Sequence, residues 1–194
     1  MNTELKKRLL SALFLIPPVL GVIWVGGWVF NIAMAALLFV ALHEWYGLTA
    51  PNLSGRGKFW AYGMLFLVLS IAMIKGVPHA LGLSVVAMPL LWYYVDRQHQ
   101  KVKPKWKGRA LWATFGVAYI IAGIFALIYL RSFESQGLVF IAYLIAVVWG
   151  TDTGAYIAGR TIGGVKLLPK ISPKKTWAGL FGGMATAAIL GYFV

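Results

Sequence analysis

At 194 residues, with 60% of them hydrophobic, only 12% charged and a mean hydropathy of +0.78, the chain is too apolar for a soluble domain, in which about 25% charged residues is usual. The absence of cysteine excludes disulfides and thiolate chemistry. His43, His79 and His99 sit in three separate segments, without metal-ligand spacing.

In chain order, Lys6-Lys7-Arg8 precede an apolar run from Leu9 to Val25, which reads as an uncleaved first span because no small-x-small cleavage site follows. Further runs cover Trp28 to Leu42, Phe59 to Ile74, Ala80 to Val95, Ala110 to Leu130 and Gly137 to Gly150, and a last one starts near Trp177. Crossing a core of about 30 Å takes about 20 helical residues, so the shorter runs draw on flanking residues such as His43, Trp45 and Tyr46. The runs are continuously apolar rather than alternating, which predicts helices and not barrel strands. The expected fold is therefore an all-α polytopic membrane protein, six transmembrane helices plus the start of a seventh, in a single membrane domain over 1–194. Gly26-Gly27 and Gly76-Val77-Pro78 are joints short enough to make helical hairpins on either side. Kinks are expected at Pro17-Pro18 and Pro89.

Alternating six spans from a cytoplasmic N-terminus sorts the basic residues onto one side. Inside fall Lys6, Lys7, Arg8, Arg56, Lys58, the loop from Arg97 to Arg109, and then Arg160, Lys166, Lys170, Lys174 and Lys175, whereas only Lys75 and Arg131 fall outside. The net charge of +13 thus describes one membrane face, not a nucleic-acid binder. The Arg97–Arg109 loop reads as topology and attraction to anionic lipid, or as recruitment of a polyanionic substrate.

One segment, residues 151–177, differs from the other loops. Asp152 follows an apolar run directly, and a carboxylate at membrane depth is costly enough to need protein, water or a cation beside it. If the helix continues, Asp152, Tyr156 and Arg160 share one face at i, i+4 and i+8. The alternative is that Asp152 simply ends the span at the interface. Ser172-Pro173-Lys174-Lys175-Thr176 predicts a helix start, with Ser172 as N-cap and Pro173 in the first helical position. Free N–H groups there, with Lys174, Lys175 and Arg160 beside them, suit a phosphate; an ordinary capped helix with topogenic lysines suits the residues equally well. Gly159-x-x-x-Gly163 and Gly179-x-x-x-Gly183 read as close-packing motifs.

Asp152-Thr153, Ala155-Tyr156, Gly159-Arg160, Gly163, Leu167, Pro169, Ile171 to Thr176, Gly179 and Gly182-Gly183 together resemble the central cytoplasmic segment of bacterial phosphatidate cytidylyltransferases. Arg8, Pro17 and Glu44-Trp45 extend the resemblance weakly toward the start. The resemblance implies a membrane enzyme of phospholipid synthesis that transfers CMP from CTP to phosphatidate, with Asp152 as catalytic residue. It further implies Arg160, Ser172, Lys174, Lys175 and Thr176 at CTP or phosphate, Glu44 and Tyr156 as cavity-lining candidates, and Mg2+ as cofactor. Phosphatidate and CTP are the implied partners, with a homodimer as candidate assembly. The implied location is the inner membrane, with the N-terminus and functional segment cytoplasmic.

Two departures stand out. Ala178 replaces the family's usual Glu or Gln. The acidic C-terminal signature implied to hold magnesium would lie beyond Val194, so residues 1–194 alone are expected to be inactive. The alternatives are another CTP-using lipid enzyme, a kinase or cytidylyltransferase, and a non-enzymatic transporter or scaffold.

Overall fold

The computed structural model describes residues 3–50, 55–102 and 109–193. Seven helices account for nearly all of them: α1 (Thr3–Val25), α2 (Gly27–Thr49), α3 (Gly55–Lys75), α4 (Val77–Val102), α5 (Arg109–Arg131), α6 (Gly137–Thr161) and α7 (Trp177–Phe193). Between α6 and α7 lies an antiparallel hairpin, β1 (Lys166–Leu168) and β2 (Ser172–Thr176). The protein is helical and multi-pass. Among the described residues, five helices are long and apolar enough to cross a membrane, and Phe14–Val25 and Trp177–Tyr192 form shorter apolar helices. The chain divides into two compact units, Met1–Phe133 and Glu134–Val194.

In the first unit α2 to α5 each bury a narrow stripe and leave their other apolar side chains outside, the reverse of a soluble protein. Buried Phe30, Leu38, Leu42 and Tyr46 recur along α2, and Ala113, Val117, Ile121, Ile124 and Ile128 along α5, at steps of three, four or eight residues that keep one face inward. Phe14, Trp28, Phe66 and Tyr119 are largely exposed, as suits side chains that meet lipid. α2 and α5 are joined by the Trp45 indole, whose Nε1–H donates to Ala113 O (2.9 Å). The ring lies where a side chain at Gly116 would be, so the glycine creates its slot.

The joint between α1 and α2 is held from α5. Gly26 adopts φ 64°, a left-handed conformation open to glycine at no steric cost. Arg131, at the end of α5, donates from Nε to Ile23 O (3.0 Å) and from Nη2 to Trp24 O (3.3 Å). It thereby caps the last carbonyls of α1, where the helix dipole favours a cation. A Cβ on Gly26 would occupy the place of that guanidinium. α1 and α4 run as helices through Pro17-Pro18 and Pro89.

Of the basic segment Arg97 to Arg109, Lys103, Lys105 and Lys107 lie outside the described residues.

Candidate active site

In the second unit α6 continues past Gly150, where the apolar run ends, to Thr161. Thr151 and Thr153 allow this by donating to Val147 O (2.6 Å) and Trp149 O (2.7 Å), so their hydroxyls are satisfied within the helix. The continuation puts Asp152, Tyr156 and Arg160 on one face, as the spacing predicts, and all three are exposed. Arg160 donates from Nη1 to Tyr156 Oη (2.6 Å), with its guanidinium carbon 5.9 Å from the ring centre. That contact orients the cation while most of its N–H donors stay free for an anion.

The first turns of α7 pack back along α6 through residues that barely have side chains, and Thr186 and Leu190 continue the contact over Gly154 and Gly150. An added Cβ on Gly182 would lie 3.0 Å from Gly154 O, one on Gly179 would lie 2.9 Å from Ala155 O, and one on Gly183 would lie 3.1 Å from Thr151 O. The two backbones are thus in van der Waals contact, as in small-residue packing of membrane helices. Gly159 and Gly179 take the packing role expected of them. Gly163 does not: it meets nothing within 4 Å and, with Gly164, adopts positive φ (64° and 86°), turning the chain out of α6.

The stretch from Ser172 corrects the sequence reading. It is β2, not the first turn of a helix, and pairs with β1 through Lys166↔Thr176 and Leu168↔Ser172. The cause lies in the prolines. Pro169 and the Ile171 N–H to Leu168 O bond (3.1 Å) make a tight turn, and Ser172, placed before Pro173, is driven toward an extended conformation. Pro173 has no N–H to give a ladder, and the irregular register places the surplus residues on this strand. The cap is Thr176, not Ser172: its Oγ1 accepts the Gly179 N–H (3.1 Å), and α7 starts at the next residue. Buried at 5% exposure against Gly159 and Gly179, Thr176 seals the joint between hairpin and helices.

The hairpin presents Lys166, Lys170, Lys174 and Lys175, all exposed, and Ser172 half-buried. The end of α6 is tied to the end of β2 through the Gly159–Thr176 contact, so Arg160 and the hairpin lysines leave one junction. Glu44 is exposed on α2 in the other unit. Among the described residues no three His, Asp or Glu side chains could enclose a metal ion. Asp152 supplies one carboxylate, with a phenol and a guanidinium following it on the same face. These residues do not by themselves fit a magnesium site.

This junction lies within the stretch that matches known proteins. The profile of the cytidylyltransferase family matches residues 6–194. The chain belongs to that family. It is 32% identical over 194 residues to a phosphatidate cytidylyltransferase of Brucella suis, covering 99% of this chain and 68% of the relative. The enzyme of that name from Pseudomonas aeruginosa is 30% identical over 186 residues, covering 93% of this chain and 67% of the relative. That from Staphylococcus saprophyticus is 33% identical over 189 residues, covering 96% and 70%. No solved structure gives a significant match. Family membership makes the chain a membrane nucleotidyltransferase; sequence reasoning missed the hairpin and the cap at Thr176, although Leu168-Pro169 and Thr176-x-x-Gly179 carried the signals for both.

Proposed function

We propose that this protein binds CTP at the junction of α6, the hairpin and α7, and transfers its CMP to phosphatidate, giving CDP-diacylglycerol and pyrophosphate. The observation that carries the proposal is the cationic junction: Arg160 steered by Tyr156, and exposed lysines on a hairpin whose last residue, Thr176, is packed between Gly159 and Gly179 and whose base is closed by the Trp177 N–H to Val165 O bond. In the reaction a phosphate oxygen of phosphatidate attacks the α-phosphorus of CTP, a new P–O bond forms, and the bond to the β-phosphate breaks with its electrons leaving on pyrophosphate. Nucleophile and electrophile are both anionic, so the protein's task is to hold them together and neutralise charge. Arg160, Lys174 and Lys175 are suited to that role by full charge and exposure. Ser172 is a candidate donor beside them, and Asp152 is proposed to orient a basic partner on the substrate side of α6. Magnesium is proposed as the counter-ion of the triphosphate.

The site is proposed to face the cytoplasm from the inner membrane, in agreement with the one-sided distribution of basic residues. A homodimer is a proposed assembly. The discriminating assay supplies the purified full-length protein with CTP and either phosphatidate or diacylglycerol. CDP-diacylglycerol and pyrophosphate are expected with phosphatidate alone; formation of CDP and phosphatidate from diacylglycerol would identify a CTP-using kinase and overturn the proposal.

A further inference from the structure

A groove of about 680 Å3 opens between α3 and α4, within the first unit, and none of its lining residues has been assigned a role above. Its walls are apolar, with Phe59, Trp60 and Tyr94 toward one end and Met64, Leu67 and Leu90 toward the other. Gly63 belongs to the lining, and a Cβ added there would meet nothing within 4 Å, so the cavity reaches the α3 backbone. Phe59 and Leu67 are two turns apart, about 12 Å at 1.5 Å per residue. One leaflet of the hydrocarbon core is about 15 Å deep. The groove therefore has the reach of one acyl chain in a single leaflet, and its aromatic end has the composition of the membrane–water interface.

Charge marks the aromatic end. The apolar spans of α3 and α4 terminate there at Lys58 and Arg97, on the side away from the Gly76 joint. Arg97 is exposed and fixed over the groove-lining Tyr93, donating from Nε to its Oη (3.1 Å) with the guanidinium carbon 5.1 Å from the ring centre. It is the same tyrosine-to-arginine arrangement at i, i+4 that poises Arg160. Arg97 is more exposed than the neighbouring carboxylate, Asp96, which is half-buried.

We infer that the α3–α4 groove holds one acyl chain of a bulk anionic phospholipid, a phosphodiester of the phosphatidylglycerol type, with the Arg97 guanidinium on its headgroup. An apolar slot alone would accept any lipid; the guanidinium fixed at its interfacial end selects the anionic one. The groove shares no residue with the proposed catalytic junction and its occupancy needs no CTP, so the inference stands or falls independently of the proposed reaction.

Native mass spectrometry of the full-length protein, released from micelles without CTP and offered phosphatidylglycerol, phosphatidylcholine or phosphatidate, tests it. The wild type is expected to retain one phosphatidylglycerol in preference to phosphatidylcholine by about fivefold, the selection one basic side chain provides at an anionic lipid. Arg97→Gln, a change at an exposed position, should bring that preference close to one. Gly63→Trp, which fills open space, should lower retention of both lipids while circular dichroism stays unchanged. Equal retention of the two lipids by the wild type, a preference that survives Arg97→Gln, or undiminished binding by Gly63→Trp with a native spectrum would overturn the inference. Retention of phosphatidate alone would overturn it as well, by assigning the groove to substrate.

Discussion

The two units join their helices in opposite ways. Between α2 and α5 a large side chain makes the contact: the Trp45 indole fills the slot over Gly116 and hydrogen-bonds Ala113 O, which gives both apolar packing and direction. Between α6 and the first turns of α7 the contact is largely backbone, with peptide groups meeting across Gly159, Gly179, Gly182 and Gly183, while farther along the Thr186 and Leu190 side chains fill the space over Gly154 and Gly150. A side-chain contact can adjust, because an indole can rotate. Backbone contact cannot, since only a shift of a whole helix relieves an added methyl group. The rigid kind of joint is found where the cationic hairpin runs into α7 at Thr176, and the adjustable kind where helices only have to stay together.

That difference can be broken experimentally. The largest effect is expected from Gly182→Ala, whose methyl would press on Ala158 Cβ and the Gly154 carbonyl. An overpacked contact costs about 1–3 kcal/mol, and here it displaces α7 and with it the hairpin, so transfer activity should fall together with thermal stability although no substrate contact is removed. Gly116→Ala should cost less activity than stability, because the Trp45 ring can swing away at the expense of its hydrogen bond. Thermal unfolding and turnover measured on both variants separate the two kinds of joint.

Thr176→Ala comes next. Loss of the cap should destabilise by about 1 kcal/mol, and Thr176→Ser should restore it, since the serine hydroxyl can still accept the Gly179 N–H. Comparable losses in Thr176→Ser and Thr176→Ala would mean that the threonine methyl, and not the cap, matters. The smallest effect is expected from Arg131→Lys, which keeps a cation at the end of α1 but cannot reach two carbonyls in the same fork. A loss of about 0.3–1 kcal/mol in stability, with turnover unchanged, is the expected outcome.

The helices were legible in the sequence because lipid demands long apolar runs and nothing else in the chain supplies them. Their ends were less so. Hydropathy ends the sixth run at Gly150, yet α6 carries on through Thr151 and Thr153, whose hydroxyls bond carbonyls one turn back and make a polar sequence tolerable in a helix. The common face of Asp152, Tyr156 and Arg160 followed directly from helical spacing. The hairpin did not, because Ser172-Pro173 fits a helix start and an extended strand alike; the choice is made by the turn at Leu168 to Ile171 and by pairing with Lys166 to Leu168. The tight α6–α7 contact was legible as a glycine pattern, but not which glycines pack, and Gly163 proved to serve a turn instead.

The central claim is that the lysines of this hairpin, and not positive charge in general, receive the triphosphate. Its most direct test is kcat/KM for CTP in the full-length protein for Lys174→Ala and Lys175→Ala, set against Lys75→Ala at the end of α3. Losing one charge-assisted hydrogen bond of about 1.5–3 kcal/mol predicts roughly a ten- to hundredfold fall for each hairpin variant. Lys75→Ala should stay within about twofold of the wild type, in keeping with the small effects of surface changes. Equal losses at Lys75 and at the hairpin, or full activity in Lys174→Ala and Lys175→Ala alike, would contradict the account.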